Sequence, residues 1–289
     1  MVSLKQKEDY FFSTFKEINH ILKKYEIKAW VDAGILLKHY RKQNIFPSSD
    51  IDFGIKSRDL KNIMHFVNNL KAKNYEVTTL GNSPLLFEGL SIQKIFSNNF
   101  VINIDIYVYY SVKNFFCRPN MHKPLKQDYF SVFLFILLNK FNKLKLNGII
   151  SNFNLLNYIF SKIILILSWI YFRFAQTTQF AIPFECLNEL IAVEKNDNNF
   201  LIPKNTKEYI IWRYGPKWKI PNKNWRLTDG NMVFLNNLKL FWGYYTKAKK
   251  FKIITIKTKV GRPGKNSIFK FSKKEVIKIK KSKIKSHLY

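Results

Sequence analysis

The sequence predicts an α+β fold in which a mixed sheet is surrounded by helices. Apolar residues recur at helical spacing in some segments, whereas other segments are short β-branched and aromatic runs typical of strands. The 289 residues are 47% hydrophobic and 17% aromatic, which indicates a folded chain with a sizeable core and argues against disorder. Carboxylates interrupt two of the apolar strands, and this pattern indicates a polar site within the sheet.

The first 110 residues switch repeatedly between helical and strand patterns. A Pro-Ser-Ser turn precedes the second strand, and Ser57 is the predicted cap of the helix that follows that strand. The predicted elements are, in order, helix 8–25, strand 29–32, a helix from Gly34 to about Lys42, strand 50–55, helix 57–70, strand 75–80 and strand 100–110.

Residues 129–175 are predicted to be mainly helical. Their most apolar run, Ile163–Phe172, has ten residues and is too short to span a bilayer. The favoured interpretation is a helix buried in the core. The alternative is a helix that lies in a membrane interface, at a depth that suits Trp169 and Tyr171, with the cations of Lys162 and Arg173 reaching the headgroups.

The C-terminal part contains one more clear helix and then a basic tail. Thr206 is predicted to begin this helix and Gly215 to end it. Residues 247–289 contain sixteen Lys or Arg residues and one acid. The composition therefore divides the chain into a domain over residues 1–246 and a basic C-terminal extension over residues 247–289.

The chain has 49 Lys and Arg residues against 19 Asp and Glu residues, which gives a formal net charge of +30. Such a charge attracts polyanions, phosphorylated ligands and anionic lipid. Heavy use of Lys, Asn, Ile and Phe is also expected from an AT-rich genome, so composition alone is the alternative explanation. Cys117 and Cys186 have no ligand spacing, which argues against a disulfide scaffold or structural zinc. With no signal-peptide pattern visible, we expect a cytoplasmic location.

Three carboxylates carry the chemistry that the sequence predicts. Asp50 and Asp52 are two residues apart in one strand, so they point to the same face, while Ile51 points to the core. Asp105 stands alone in the apolar strand "INIDIYVYY". If the two strands are neighbours, the three carboxylates converge on a site for Mg²⁺ or Mn²⁺, which prefer oxygen ligands shared with substrate phosphates. The alternative is that these acids pair with some of the many lysines.

The helix before the acidic strand suits a phosphate group. Gly34 follows a strand and begins a helix, so that a phosphate can approach the helix N-terminus. Arg41 lies two turns further on and can donate to a phosphate oxygen. The order of strand, glycine, helix, Asp-x-Asp strand and later single-Asp strand is that of the nucleotidyltransferase fold, which the polymerase-β-like enzymes share.

Three blocks of the sequence resemble the LicD/fukutin family. The block "WVDAGILLKHYRKQNIFPSSDIDFGI", Trp30–Ile55, resembles the family's aromatic strand, Gly-Thr-x-Leu-Gly, Tyr-Arg, Ile-Pro and Asp-x-Asp-x-Gly. The strand "INIDIYVYY" is similar to its later Asp-Ile-Phe strand, and Asn199–Asn231 is similar to the fukutin-like ending with Tyr-Gly and two Trp residues. The blocks stand in the family's order and cover roughly residues 8–240.

This resemblance implies a metal-dependent transferase that moves a phosphorylated alcohol from a CDP-activated donor to the hydroxyl of a glycan or lipid-linked glycan, as in cell-surface polysaccharide biosynthesis. The phosphorylated alcohols that members of this family transfer include ribitol phosphate and phosphocholine. Matched by position, the implied metal-binding and catalytic residues are Asp50, Asp52 and Asp105, the donor phosphate residues are Gly34, Lys38 and Arg41, and a further substrate or structural signature is Tyr214, Gly215 and Trp225.

The sequence departs from the family pattern near the donor phosphates. Ile35 stands where the family has a Thr, so a hydroxyl that could contact phosphate is missing. Lys38 stands where the family has a second Gly, and it brings a cation that can face the donor instead. The turn before Asp50 is one residue shorter than the family's. These departures bear on the identity of the donor more than on the fold.

Two other functions are kept as alternatives. One retains the fold but transfers a nucleotide from an NTP to a small molecule or RNA. The other is a non-enzymatic protein whose basic tail binds nucleic acid or a membrane, with nucleic acid the less favoured partner. In the enzyme, we expect residues 247–289 to hold the protein at an anionic membrane surface, on its inner face, where lipid-linked acceptors are found.

Overall fold

The structure is a computed structural model, and it describes residues 2–45, 50–80, 88–97, 99–112, 114–118, 154–174, 178–195, 198–221 and 232–234, with six residues between 130 and 138. The predictions for the turn before Asp50, for Trp225 and for the basic tail lie outside these residues. The predicted fold class is confirmed as α+β with a mixed, open sheet.

Helices and strands alternate along the N-terminal half, as predicted. The helices are α1 (Leu4–Lys24), α2 (Ala33–Tyr40), α3 (Ile63–Ala72), α4 (Asn154–Phe174), α5 (Phe184–Leu187) and α6 (Thr206–Tyr214). The strands are β1 (Trp30–Val31), β2 (Asp50–Lys56), β3 (Glu76–Leu80), β4 (Gly89–Ile95), β5 (Val101–Val112), β6 (Phe115–Cys117), β7 (Thr178–Pro183), β8 (Leu190–Lys195), β9 (Asn198–Pro203) and β10 (Met232–Phe234).

Strand β5 is the centre of the sheet. It pairs with β2 in parallel on one side and with β4 antiparallel on the other, and its last residues continue into a pairing with β6. The main layer has the order β3-β4-β5-β2-β1-β9-β8, and β6, β7 and β10 extend from the far end of β5. The sheet is mixed because β2–β5 and β1–β9 are parallel pairs, whereas the other pairs are antiparallel.

Helix α1 covers one face of this sheet. Ser3 and Gln6 form a capping box at its start. The backbone N–H of Ser3 donates to the side-chain oxygen of Gln6, and the backbone N–H of Gln6 donates to the Ser3 hydroxyl. Its buried residues recur at helical spacing, and Phe15 among them stacks on Phe53 of β2 and meets Phe200 of β9, each at 5.6 Å between ring centroids. The amphipathic helix predicted over residues 8–25 is therefore confirmed.

Gly54 in β2 is required by the packing of a tryptophan. Trp30 of β1 pairs with Gly54 across the two antiparallel strands and is fully buried. A Cβ atom on Gly54 would lie 2.3 Å from the Trp30 ring, a distance at which the atoms overlap. The indole is therefore held flat over β2, where it also packs on Tyr109 of β5 at 5.2 Å.

The helix predicted to start at Ser57 begins later. Residues Ser57–Asn62 form a 3₁₀ turn, and α3 starts at Ile63 without a side-chain cap. Leu60 of the 3₁₀ turn and Ile63, the first residue of α3, are both fully buried. The prediction of Ser57 as a helix cap was wrong.

Helix α4 confirms the helical prediction for its part of residues 129–175. Ile164, Ser168 and Tyr171 lie on one face and are buried. Tyr171 is fully buried, as the favoured interpretation of a core helix expects, so it does not take the interface position that the alternative gave it, whereas Trp169 is exposed. None of the described helices is long and apolar enough to cross a membrane.

Glu17 of α1 connects three elements on the outside of the fold. Its carboxylate accepts hydrogen bonds from Lys73 at 2.8 Å, from Lys94 of β4 at 2.7 Å and from the hydroxyl of Tyr75 at 2.6 Å. Burial opposes ionisation, but these three donors outweigh it and lower the pKa of Glu17 to about 2.

We expect Glu17→Gln to lower the melting temperature, because two ion pairs are lost. The pKa of Glu17 falls from 4.5 to about 2 on folding, so its stabilisation is complete above pH 4.5 and is lost as the pH falls towards 2. The difference in melting temperature between wild type and variant should shrink over this range. The control is Asp9→Asn, an exposed acid on the same helix. A difference that is independent of pH would contradict the assignment.

Candidate functional site

The start of α2, strand β5 and helix α6 meet at the carboxylate of Asp32, which is fully buried. Asp32 caps α2, since its Oδ1 accepts from the backbone N–H of Ala33 at 2.7 Å. Tyr109 of β5 donates its hydroxyl to Oδ2 at 2.8 Å, and Tyr209 of α6 donates to Oδ1. Arg213 of α6 forms an ion pair with Oδ1 through Nη1 at 2.7 Å. We call these residues the Asp32 cluster.

The charge of Asp32 is compensated within the cluster. Burial alone would raise the pKa of Asp32, but the Arg213 guanidinium and the hydrogen bonds from Tyr209, Ala33 and Tyr109 outweigh burial and lower it. Arg213 also donates to the hydroxyl of Tyr209 at 2.9 Å. Asp32 is therefore an ionised group with a fixed set of partners, and it sits one strand away from the predicted metal site.

The two acid-bearing strands are neighbours, as the sequence predicted. Asp52 of β2 lies directly opposite Asp105 of β5 in their parallel register. Asp50 precedes Asp52 by two residues and so lies on the same face of β2. Asp52 is 6% exposed, whereas Asp50 and Asp105 are partly exposed. The backbone N–H of Asp32 donates to the carbonyl of Asp52 at 2.9 Å, which joins the Asp32 cluster to this carboxylate group.

Asp52 is held where ionisation is unfavourable. Burial, and then the neighbouring carboxylates of Asp50 and Asp32, raise the pKa of Asp52 to about 8 and outweigh the opposing effect of Arg213, whose guanidinium is bound to Asp32. Burial also raises the pKa of Asp105, although hydrogen bonds from Ser91 and Tyr107 act against it. Two adjacent carboxyl groups of this kind take up either a proton or a metal cation.

The donor set suits a hard divalent cation. In the part of the chain that the structure describes, no three His, Cys, Asp or Glu side chains stand together as a complete metal-binding group. Mg²⁺, however, is usually held by one or two carboxylates and completes its coordination with substrate phosphates and water. The opposed pair Asp52 and Asp105, with Asp50 on the same face, fits this mode of binding.

The predicted phosphate residues share one side of α2. Gly34, Lys38 and Arg41 are spaced by four and three residues, so they follow one another along the helix, while Ile35 and Leu36 are buried. A Cβ atom on Gly34 would meet no atom within 4 Å, so protein packing does not require a glycine there. This open space lies at the helix N-terminus, where backbone N–H groups attract anions.

The two cations of α2 have different surroundings. Burial lowers the pKa of Lys38, and the negative charge of the nearby Asp50 carboxylate opposes this effect. The guanidinium of Arg41 donates through Nη2 to the carbonyl of Trp218, in the turn after α6. Arg41 thus connects the end of α2 to the chain that follows Gly215.

Tyr214 and Gly215 differ in what the structure explains. Gly215 ends α6 with φ +83°, and its N–H donates to the carbonyl of Ile211 at 2.8 Å, so the predicted helix end is confirmed and the glycine is needed for its backbone. Burial raises the pKa of Tyr214 to about 12, and the structure does not show whether this residue has a role beyond packing at the end of α6.

The structure adds residues that the sequence reasoning missed. Arg118 stacks its guanidinium on the ring of Tyr107, with 3.5 Å between Cζ and the ring centroid, and Tyr107 donates to Oδ2 of Asp105 at 3.3 Å. Asp32 and Arg213 were missed as well. Each stands beside a residue that was predicted, because Asp32 is two before Gly34 and Arg213 precedes Tyr214. A buried acid in an apolar segment was the available signal for Asp32.

Arg213→Met should destabilise the protein by about 3–5 kcal/mol, because it leaves the Asp32 carboxylate buried without its cation. Urea unfolding measures this loss. The double variant with Asp32→Asn should recover part of it, since no buried charge remains. The control is Lys204→Met, which breaks the exposed ion pair to Glu189, also at 2.7 Å, and should change stability little. Equal effects of the two single variants would contradict this account.

Without divalent cations, Asp52→Asn should stabilise the protein, and more so at higher pH. The pKa of Asp52 rises from 3.8 to about 8 on folding, so wild type loses stability as the pH rises through this range, whereas Asn does not titrate. We expect the melting temperature of the variant to exceed that of wild type by several degrees at pH 8 and by little at pH 4. Mg²⁺ should raise the melting temperature of wild type only. The reverse pH trend would refute this.

No protein-family model matches the chain, and neither does any curated protein. The assignment of a function to this carboxylate site therefore depends on its geometry and its chemistry.

Proposed function

We propose that this protein is a metal-dependent transferase of the LicD/fukutin type, which moves a phosphorylated alcohol from a CDP-activated donor to a glycan hydroxyl. The observation that carries the proposal is the parallel register of β2 and β5, which sets Asp52 against Asp105 with Asp50 on the same face. The resemblance of three sequence blocks to that family supports it. The catalytic domain is residues 1–246, and the basic extension 247–289 holds the enzyme at the inner face of the membrane.

The order of elements around the site supports a nucleotidyltransferase-like core. Helix α2 connects the antiparallel strands β1 and β2, and the strand that supplies the third carboxylate, β5, lies on the other side of β2. This is the sequence of strand, helix, Asp-x-Asp strand and single-Asp strand that polymerase-β-like enzymes share.

Asp50, Asp52 and Asp105 would hold Mg²⁺ or Mn²⁺. A cation held there would supply positive charge to the donor diphosphate and to the CMP that leaves. The surroundings of Asp52 and Asp105 favour such a cation, because burial and the nearby Asp50 carboxylate raise the pKa of both groups.

Residues of α2 orient the donor. The backbone N–H groups at Gly34 and the ammonium group of Lys38 contact the diphosphate oxygens, and Arg41, whose guanidinium is bound to the Trp218 carbonyl, adds positive charge at the end of α2. The positive charge of these groups balances the negative charge that the diphosphate brings near three carboxylates.

The transfer itself is a displacement at phosphorus. The acceptor hydroxyl oxygen forms a bond to the phosphorus of the alcohol phosphate, and the bond from that phosphorus to the bridging oxygen breaks, so CMP leaves with the electron pair. The proton of the hydroxyl passes to the carboxylate of Asp105, which is the more exposed member of the opposed pair and is oriented by Tyr107.

The test is CMP release from CDP-ribitol and CDP-choline in the presence of Mg²⁺. We expect Asp52→Asn and Asp105→Asn each to reduce turnover by at least about 10²–10³-fold, as the loss of a preorganised electrostatic partner does. The control is Asp59→Asn, because Asp59 is as buried as Asp52 and lies outside the site, just after β2. Circular dichroism checks that the variants are folded.

Turnover near the wild-type level in Asp52→Asn would exclude the metal site. Pyrophosphate release from an NTP, with no CMP from either donor, would instead identify nucleotidyl transfer on the same carboxylates.

A further inference from the structure

One face of helix α4 is apolar and exposed. Tyr158, Ile166 and Trp169 are 61%, 57% and 40% exposed, and Ile159 is also exposed. The spacing of these residues places them on the side of α4 opposite to Ile164 and Tyr171, which are fully buried. Burial in the core thus explains one side of this helix and leaves the other unexplained. We call Tyr158, Ile159, Lys162, Ile166 and Trp169 the α4 face.

The α4 face has the composition of a surface that meets both water and lipid. Tyr and Trp have an apolar ring with a polar group, which suits the boundary between acyl chains and headgroups. Lys162 is exposed, and its ammonium group lies 5.3 Å from the centre of the Tyr158 ring. A lysine in this position keeps its stem on the apolar surface and its charge among the headgroups.

The charge of the surrounding sequence selects among the possible occupants of this face. Residues 129–184 contain five Lys or Arg residues and no Asp or Glu. A second copy of the chain carries the same net charge of +30, and this repulsion between like-charged molecules opposes association. An anionic lipid surface supplies both the opposite charge and the apolar boundary, so it fits the α4 face best.

We propose that the α4 face is a membrane-binding surface, on which α4 lies parallel to an anionic bilayer. Ile166 and Trp169 enter the boundary between headgroups and acyl chains, and Lys162 binds lipid phosphates. The buried side of α4 stays packed in the protein core, so the helix docks without leaving the fold. None of its residues belongs to the basic extension, and the proposal does not depend on the proposed transfer reaction.

The test measures the partition of the full chain onto vesicles of phosphatidylcholine and phosphatidylglycerol, at low and at high salt. High salt screens the attraction of the lysines, including those of residues 247–289, but leaves apolar insertion in place. We expect Ile166→Glu with Trp169→Glu to lower the partition coefficient by roughly ten- to a hundredfold at both salt concentrations, since two apolar side chains no longer leave water. The control is Ile191→Glu, an exposed isoleucine on β8, which should bind as wild type does.

If the double variant folds poorly, a milder variant can still test whether Trp169 enters the bilayer. Trp169→Tyr retains an aromatic residue that suits the interface, so it should bind vesicles as wild type does, and it should remove part of the tryptophan fluorescence that nitroxide-labelled lipid quenches. Unchanged quenching in Trp169→Tyr would overturn the proposal. So would partition of the double variant equal to that of wild type, a fall in its melting temperature well beyond that of Ile191→Glu, or a wild-type dimer that the double variant dissociates.

Discussion

The buried carboxylate of Asp32 is the constraint on which the arrangement of the site depends. It has no access to solvent, so each of its oxygens must be satisfied by the protein. The partners come from three separate elements, and each is thereby held in one position relative to the end of β1: the first turn of α2 through Ala33, strand β5 through Tyr109, and helix α6 through Tyr209 and Arg213. The same residue donates its backbone N–H to Asp52.

As a result, the pKa values of two buried carboxyl groups shift in opposite directions: that of Asp32 is lowered and that of Asp52 is raised. Asp32 and Asp52 are both buried, but the guanidinium of Arg213 forms its ion pair with Asp32. Its effect on Asp52 is smaller than the combined effects of burial and of the Asp50 and Asp32 carboxylates, so the pKa of Asp52 is raised. The strand face on which a negative charge is least favourable is also the face that borders the open N-terminus of α2. A group that binds there meets both the carboxyl groups of the strands and the backbone N–H groups of the helix.

The sequence allowed the central strands to be predicted because their signals are local. Asp50, Asp52 and Asp105 interrupt β-branched and aromatic runs, and a period of two residues assigns each acid to a face without knowledge of the tertiary structure. The start of α2 and the end of α6 were predicted for the same reason, since Gly34 and Gly215 each punctuate a helical pattern. The prediction that β2 and β5 are neighbours was the one that joined distant parts of the sequence. It was based on the need of buried acids for a shared partner.

Other features had no local signal. The ion pair between Asp32 and Arg213 joins residues 181 apart, and neither residue's neighbours in sequence indicate the other. The side of α4 that faces the core could not be assigned because the helix is apolar all round, so Tyr171 and Trp169 are equivalent in sequence although one is buried and the other exposed. Likewise, the spacing of buried residues over Ser57–Asn62 does not distinguish a 3₁₀ turn from the first turns of an α-helix.

The separation of Asp32 from Arg213 also dictates the order in which the native state can be completed. Strand β1 is made early in synthesis, yet its parallel partner β9 and the cation of its buried carboxylate are made some 170 to 180 residues later. Until then, burying Asp32 would leave its carboxylate without a cation, which costs more free energy than the hydrogen bond from the tyrosine on β5 returns. The docking of α6 thus makes burial of Asp32 favourable, and a chain that ends before α6 has no ion-pair partner for this carboxylate.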